Sequence, residues 1–230
     1  MHGFASPVGI YLGLCTTAVN SRELKHHTLI PVLWPSLPDS QDLIGFDPNL
    51  VQMIYDGDQN EGAVGAAKAF ANLSTVLNQF PSKSVMTHSM GNRVLRLAAQ
   101  NMADAGEGFA FDNIFMVAAD VDNDIFDAGN ENGSNIRSML AKDDDGKPKE
   151  KVYIVHSTKD WAFQISSTFK GNKKRLGLDG YTVDADNVLN DVQNKDASAS
   201  GWPSRFVQNQ HRYPFNGGAL NFYDEVRVKV

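Results

Sequence analysis

A chain of 230 residues is long enough for one sizeable α/β core and short for two. Hydrophobic content of 42% and charged content of 21% are those of an ordinary globular protein, and no apolar run reaches the about 20 residues that span a bilayer. A formal net charge of −6, with no basic cluster against it, excludes a nucleic-acid surface, and the single Cys15 excludes an internal disulfide.

In chain order, His2-Gly3-Phe4-Ala5 opens the sequence with no strand in front of it. Residues 29–34 (Leu-Ile-Pro-Val-Leu-Trp) are expected to form a buried strand, and Pro35-Ser36 a turn. Residues 39–62 are polar and punctuated by Gly45, Pro48, Gly57 and Gly62, so a loop is expected. The apolar positions Ala66, Ala69, Phe70, Leu73, Val76, Leu77 and Phe80 predict one helix over 63–80, stopped by Pro81. Val85-Met86-Thr87 reads as a short strand, and Val94, Leu95, Leu97, Ala98 and Met102 as a helix that Gly106 and Gly108 end. Further strands are expected at 113–119 and 152–156, and a weaker one at 188–192. A turn at 143–148 and a helix at 162–169 complete the pattern, with a polar loop to His211 and a short closing helix from near Gly218. Strands alternating with helices predict a mostly parallel sheet with helices on both faces.

Between the 85–87 strand and the helix after it stands Thr87-His88-Ser89-Met90-Gly91. Strand, sharp turn and helix around Ser-x-Gly form the context of a nucleophile elbow, which exposes a serine hydroxyl and aims the next backbone N–H at an oxyanion. A serine needs a base, and the ends of parallel strands are where one is found. Asp160 follows the 152–156 strand, and His211 follows the last strand, giving the chain order Ser-Asp-His. In this reading Ser89 is the nucleophile, His211 the general acid/base and Asp160 the group that orients it. The N–H groups of Met90 and Phe4 form the oxyanion hole. Asp160 also suits a helix N-cap, and Asp120, which ends a strand too, is the rival acid. Asp120-x-Asp122-x-Asp124 with Glu131 has calcium-loop spacing but Ile125 where the loop needs Gly, so caps and turns are the expected roles and no metal is assigned. Lys173-Lys174-Arg175, the densest basic run, is read as a solvated loop.

These pieces together resemble a bacterial α/β-hydrolase family of largely uncharacterised, esterase-like serine hydrolases. The resemblance rests on the elbow from Thr87 to Leu95, on His2-Gly3-Phe4, Trp34-Pro35-Ser36, Tyr55-x-x-Asp58 and Ala118-Ala119-Asp120-Val121-Asp122. Asp160-Trp161-Ala162, Arg175-Leu176-Gly177 and His211-x-Tyr213 continue it, so it covers nearly the whole chain. It implies the α/β-hydrolase fold and places the triad on Ser89, Asp160 and His211. Two features depart from the family. Thr87 stands where a smaller residue is preferred, which predicts a crowded elbow. Only Met1 precedes His-Gly-Phe where a central strand belongs, so the chain is expected to be one hydrolase domain lacking its N-terminal strands.

The function expected is hydrolysis of a carboxylic ester through an acyl-enzyme, with a small-molecule ester or acyl substrate and no cofactor. Amide hydrolysis or acyl transfer would use the same residues, and a non-catalytic binding protein on the hydrolase fold is the alternative from another class. The cytoplasm is the default compartment, since no export signal is visible in this sequence. Oligomeric state is not legible.

Overall fold

The computed structural model describes residues 28, 30–34, 48–106, 108–160, 162–182 and 189–198. These residues carry four parallel strands, β1 (Ser84–His88), β2 (Asn113–Val117), β3 (Val152–His156) and β4 (Val192–Asp196), hydrogen-bonded in that order. The helices among them are α1 (Pro48–Gly57), α2 (Ala63–Ala71), α3 (Ser74–Leu77), α4 (Gly91–Ala105), α5 (Glu131–Ser138), α6 (Ala162–Phe169) and α7 (Leu176–Asp179). A π-helical turn, Asp58–Gly62, joins α1 to α2.

Strands β2 and β3 form because their residues are largely β-branched or large and apolar and both sheet faces are covered there, so they read as mostly apolar runs. Alternate residues serve alternate faces. Val85, Ile114, Met116, Val152 and Ile154 join one core with Ala66, Ala67 and Phe70 of α2, Val94, Leu95 and Ala98 of α4, and Ile136 of α5. Phe115, Val117, Tyr153 and Val155 point the other way, where Phe163 of α6 is buried among them and Leu178 of α7 packs beside them. Helices therefore flank a parallel sheet on both faces, and the fold is that of an α/β protein. Among the described residues no helix is long and apolar enough to cross a membrane.

The register aligns the strand ends that matter. Thr87 pairs with Met116 and His88 with Val117, while Met116 pairs with Ile154 and Val117 with Val155. The carboxyl ends of β1, β2 and β3 thus lie side by side, at the end of a parallel sheet where sites are built.

Several local expectations are corrected. Residues 30–34 form no strand among the described residues: Pro31 has no N–H to give a ladder, Ile30 and Leu33 stay 38% and 39% exposed, and Trp34 alone is buried. The stretch from Pro48 to Gly62 is helical rather than loop. Proline suits a first helical turn, and Gly57 and Gly62 take ordinary helical dihedrals. The single helix over 63–80 is broken after Ala71, and α3 resumes for one turn. The last strand starts at Val192, where the expected strand ended; Asn190 and Asp191 turn instead, and Val152 N–H reaches Asp191 O at 2.8 Å. The closing helix near Gly218 lies outside the described residues.

Candidate active site at the strand ends

Ser89 connects β1 to α4 and has φ +52°, the left-handed region that a non-glycine residue enters at a cost of about 1–3 kcal/mol. Its backbone atoms hold it there. Ser89 N–H donates to Val117 O at 3.0 Å, extending the β1–β2 ladder by one residue. Ser89 O accepts from Asn92 N (3.0 Å), Asn92 Nδ2 (3.0 Å) and Asp120 N (3.1 Å). Met90 follows at the N-cap of α4, so its N–H precedes the helix ladder, at the positive end of the helix. Helix α4 then runs to Gly106, whose φ of +65° closes it with N–H bonds to Met102 O and Ala103 O.

Thr87 is absorbed, not crowded out. Its hydroxyl donates to Asn92 Oδ1 at 2.6 Å, with a longer contact to Phe115 O at 3.2 Å, and the side chain is fully buried. Asn92 Nδ2 also reaches Val117 O at 3.3 Å.

At the end of β2, Ala118 also adopts a positive φ, +44°. The chain then delivers Asp120, whose N–H holds the Ser89 carbonyl while its carboxylate turns to a buried network. Arg175 Nη2 and Nε donate to Asp120 Oδ1 at 2.7 and 3.0 Å. Tyr55 OH donates to Oδ2 at 2.6 Å, and Ser166 Oγ to Oδ1. Arg175 Nη1 pairs with Asp122 as well. Burial acts to raise the Asp120 pKa, but the Arg175 guanidinium and the hydroxyls of Ser166 and Tyr55 outweigh it and hold the carboxyl below the usual carboxylate range. Burial first and the Asp120 charge second push the Tyr55 phenol well above the ordinary tyrosine range, so it stays a donor.

Arg175 corrects the solvated-loop expectation for the 173–175 run, because it is 3% exposed. A short antiparallel contact brings it in: Leu176 N–H donates to Val121 O, Gly177 N–H to Ala119 O and Asn123 N–H to Lys174 O, at 2.9, 2.9 and 3.2 Å. Position 177 must be glycine, since a Cβ there would stand 2.5 Å from Ala118 C and Ala119 N. Asp120 and Asp122 therefore serve one guanidinium and do not simply cap or turn the chain.

Past β3, Asp160 is fully buried on a turn closed by its N–H to Ser157 O at 3.0 Å, and its Oδ1 accepts from Ala162 N at 3.1 Å at the start of α6. The capping role is thus realised. His156, at the end of β3, is 8% exposed; burial, opposed by the Asp196 charge, holds its pKa below the ordinary histidine value. His211 and Phe4 lie outside the described residues. Among those described, the structure ties Ser89 to Asp120 directly and sets Asp160 beyond the end of the next strand along. The roles of Tyr55, Ser166 and Arg175 were not read from the sequence, although Tyr55 and Arg175 both sit in stretches that carry the family resemblance.

A parallel sheet flanked by helices, with a serine in left-handed conformation between strand and helix, defines the α/β-hydrolase class. The chain belongs to a family described as alpha/beta hydrolase of unknown function (DUF900), whose model matches residues 2–200. No curated protein matches the chain.

Proposed function

We propose that this chain is a serine hydrolase that cleaves a carboxylic ester through an acyl-enzyme. Ser89 Oγ attacks the ester carbonyl carbon while His211 takes its proton. The N–H groups of Met90 and Phe4 receive the oxyanion, and each such donor is typically worth about 3 kcal/mol of transition-state stabilisation. His211 then protonates the departing alcohol. In the second half, His211 deprotonates a water that attacks the acyl-Ser89 ester, and the acid leaves. Asp160 orients His211 and stabilises its imidazolium.

The observation that carries the reading is the φ of +52° at Ser89, between β1 and α4. Strain of this kind persists only where the surroundings enforce it, and three backbone–backbone hydrogen bonds and one from the Asn92 side-chain amide hold the Ser89 backbone here. The choice of Asp160 over Asp120 is supported by the engagement of Asp120 with Arg175, Tyr55 and Ser166. Two strand spacings, about 10 Å, separate the β1 and β3 ends, a gap that an imidazole between serine and carboxylate bridges.

The test is turnover of p-nitrophenyl acetate and butyrate by the chain beside Ser89→Ala. We expect kcat to fall by about 10³-fold or more in the variant. Equal turnover by both proteins would overturn the assignment. So would a folded wild-type chain that neither hydrolyses the esters nor takes a serine-reactive phosphonate, the result expected of a binding protein.

A further inference from the structure

The carbonyl of Ser89 and the N–H of Met90 belong to one peptide unit. That unit is trans, so the two groups point in opposite directions across a rigid plane. Whatever fixes the Ser89 carbonyl therefore aims the Met90 N–H. Met90 is 1% exposed, and among the described residues nothing accepts its N–H. A buried backbone donor without an acceptor is rare and costs about as much as a lost hydrogen bond. Beside Ser89, an oxyanion would satisfy it.

Asn92 N, Asn92 Nδ2 and Asp120 N all donate to the Ser89 carbonyl, at 3.0, 3.0 and 3.1 Å. The two Asn92 donors belong to α4, the helix that Met90 caps, and move with it. The Asp120 N–H comes from the end of β2, so it sets the peptide against the sheet. Asp120 is itself locked. Gly177 N–H donates to Ala119 O and Leu176 N–H to Val121 O, both at 2.9 Å, which grips the backbone on either side of it. Its carboxylate takes Arg175 Nη2 and Nε at 2.7 and 3.0 Å and Tyr55 OH at 2.6 Å. For stability alone, well-packed apolar side chains often serve as well as a buried ion pair. Apolar packing is non-directional, however, while hydrogen bonds fix the orientation of the residue that carries them.

We propose that Asp120, locked by Arg175 and Tyr55, is a positioning residue whose N–H turns the Ser89–Met90 peptide so that the Met90 N–H faces the oxyanion. Arg175 and Tyr55 act through Asp120, and Asp120 acts through the Ser89 carbonyl. The proposal rests on the serine-hydrolase reading for the oxyanion, while the setting of the peptide is measurable without turnover.

The test uses Arg175→Lys, which keeps the charge and loses the fork, and Tyr55→Phe, which loses one hydroxyl. On p-nitrophenyl butyrate, kcat of Arg175→Lys should fall by about tenfold or more with KM within about twofold, since misplacement by about 1 Å costs up to about a hundredfold. Tyr55→Phe should fall between it and the wild type. Propyl trifluoromethyl ketone probes the oxyanion directly. Ser89 Oγ adds to its carbonyl carbon, the proton passes to His211, and the carbonyl oxygen becomes the anion that Met90 N–H receives. Its inhibition constant should rise in step with the loss of kcat/KM. A variant that merely folds less well has fewer active molecules, and its inhibition constant stays that of the wild type. In chains carrying isotope-labelled methionine, the Met90 amide NMR signal should shift in both variants. An inhibition constant unchanged in Arg175→Lys, or a loss that falls on KM alone, overturns the proposal and leaves the hydrolase reading standing. If the wild type neither hydrolyses the ester nor takes the ketone, the hydrolase reading falls. An unmoved Met90 signal then overturns the proposal too, and a shifted one supports the setting of the peptide by Asp120. Should Arg175→Lys not fold, the same readings on Tyr55→Phe decide.

Discussion

The Thr87 hydroxyl donates to Asn92 Oδ1 at 2.6 Å, joining the residue two before the elbow serine to the second residue of the elbow helix. Asn92 in turn gives its amide to Ser89 O and Val117 O. A side-chain pair thus braces, through hydrogen bonds, a turn that the common pattern leaves to glycine. Where glycine would give room, threonine gives a bond.

Removal of that bond with the shape kept should loosen the elbow. Thr87→Val leaves Asn92 Oδ1 buried without its donor, which costs about 1–3 kcal/mol. Thr87→Gly should be no improvement, since it loses the same bond and adds chain entropy in a strand. Urea denaturation of the three proteins reads this directly. A Thr87→Gly chain more stable than the wild type would show the threonine to be strained rather than bracing.

The Asp120–Arg175 pair predicts both a loss and a pH dependence. Asp120→Asn leaves a 3%-exposed guanidinium with Asp122 alone and should cost about 3–5 kcal/mol. The folded pKa of Asp120 is depressed, so its contribution is complete above its unfolded value, about 3.9, and is lost as pH falls through the lower folded value. Wild-type stability should therefore decline below about pH 4 more steeply than that of Asp120→Asn. Parallel slopes in urea titrations at descending pH would contradict the pairing.

What sequence made legible follows from the range of the interactions. Strands β1, β2 and β3, helix α4 and helix α6 announced themselves by apolar runs, helical spacing and Gly106, all local signals. The sharp turn at Ser89 was legible because Ser-x-Gly sat between such elements. Helix α1 and the π-helical turn were hidden by Gly57 and Gly62, which punctuate a sequence but take helical dihedrals here. Strand β4, Val-Gln-Asn-Lys-Asp, has no apolar alternation to find, and its position is fixed by pairing with β3. The Tyr55–Asp120–Arg175 network joins residues 65 and 55 positions apart, a distance no local pattern reports, so Arg175 looked like part of a solvated basic run.

His156 predicts a second pH effect, in a different window. Its folded pKa lies below the ordinary histidine value, because burial disfavours the imidazolium more than the Asp196 charge favours it. No penalty exists above the unfolded value, about 6.5, where both states are neutral; stability falls as pH drops from there toward the folded pKa. Gly180 leaves the ring little room, since a Cβ there would stand 2.8 Å from His156 Nε2. His156→Leu should therefore lose less stability than the wild type between pH 7 and pH 5, whatever its stability at neutrality. Chemical denaturation at the two pH values measures the difference, and an equal loss in both proteins would place the imidazole in a wetter setting.

The left-handed Ser89 predicts that stability and activity oppose each other at the elbow. Glycine adopts φ +52° without the Cβ penalty, so Ser89→Gly should raise stability by about 1 kcal/mol, the backbone bonds to Val117, Asn92 and Asp120 being kept. Ser89→Ala keeps the Cβ and should show no such gain. Turnover should vanish in both. The pair separates backbone strain from the loss of the hydroxyl, since both remove the hydroxyl and only Gly relieves the Cβ strain, by more than the about 0.5–1 kcal/mol that its extra unfolded-chain entropy costs. Thermal unfolding of the three chains decides it: a Gly variant less stable than the Ala variant would mean that the turn is relaxed, and the strain argument for a nucleophile at Ser89 would lose its basis.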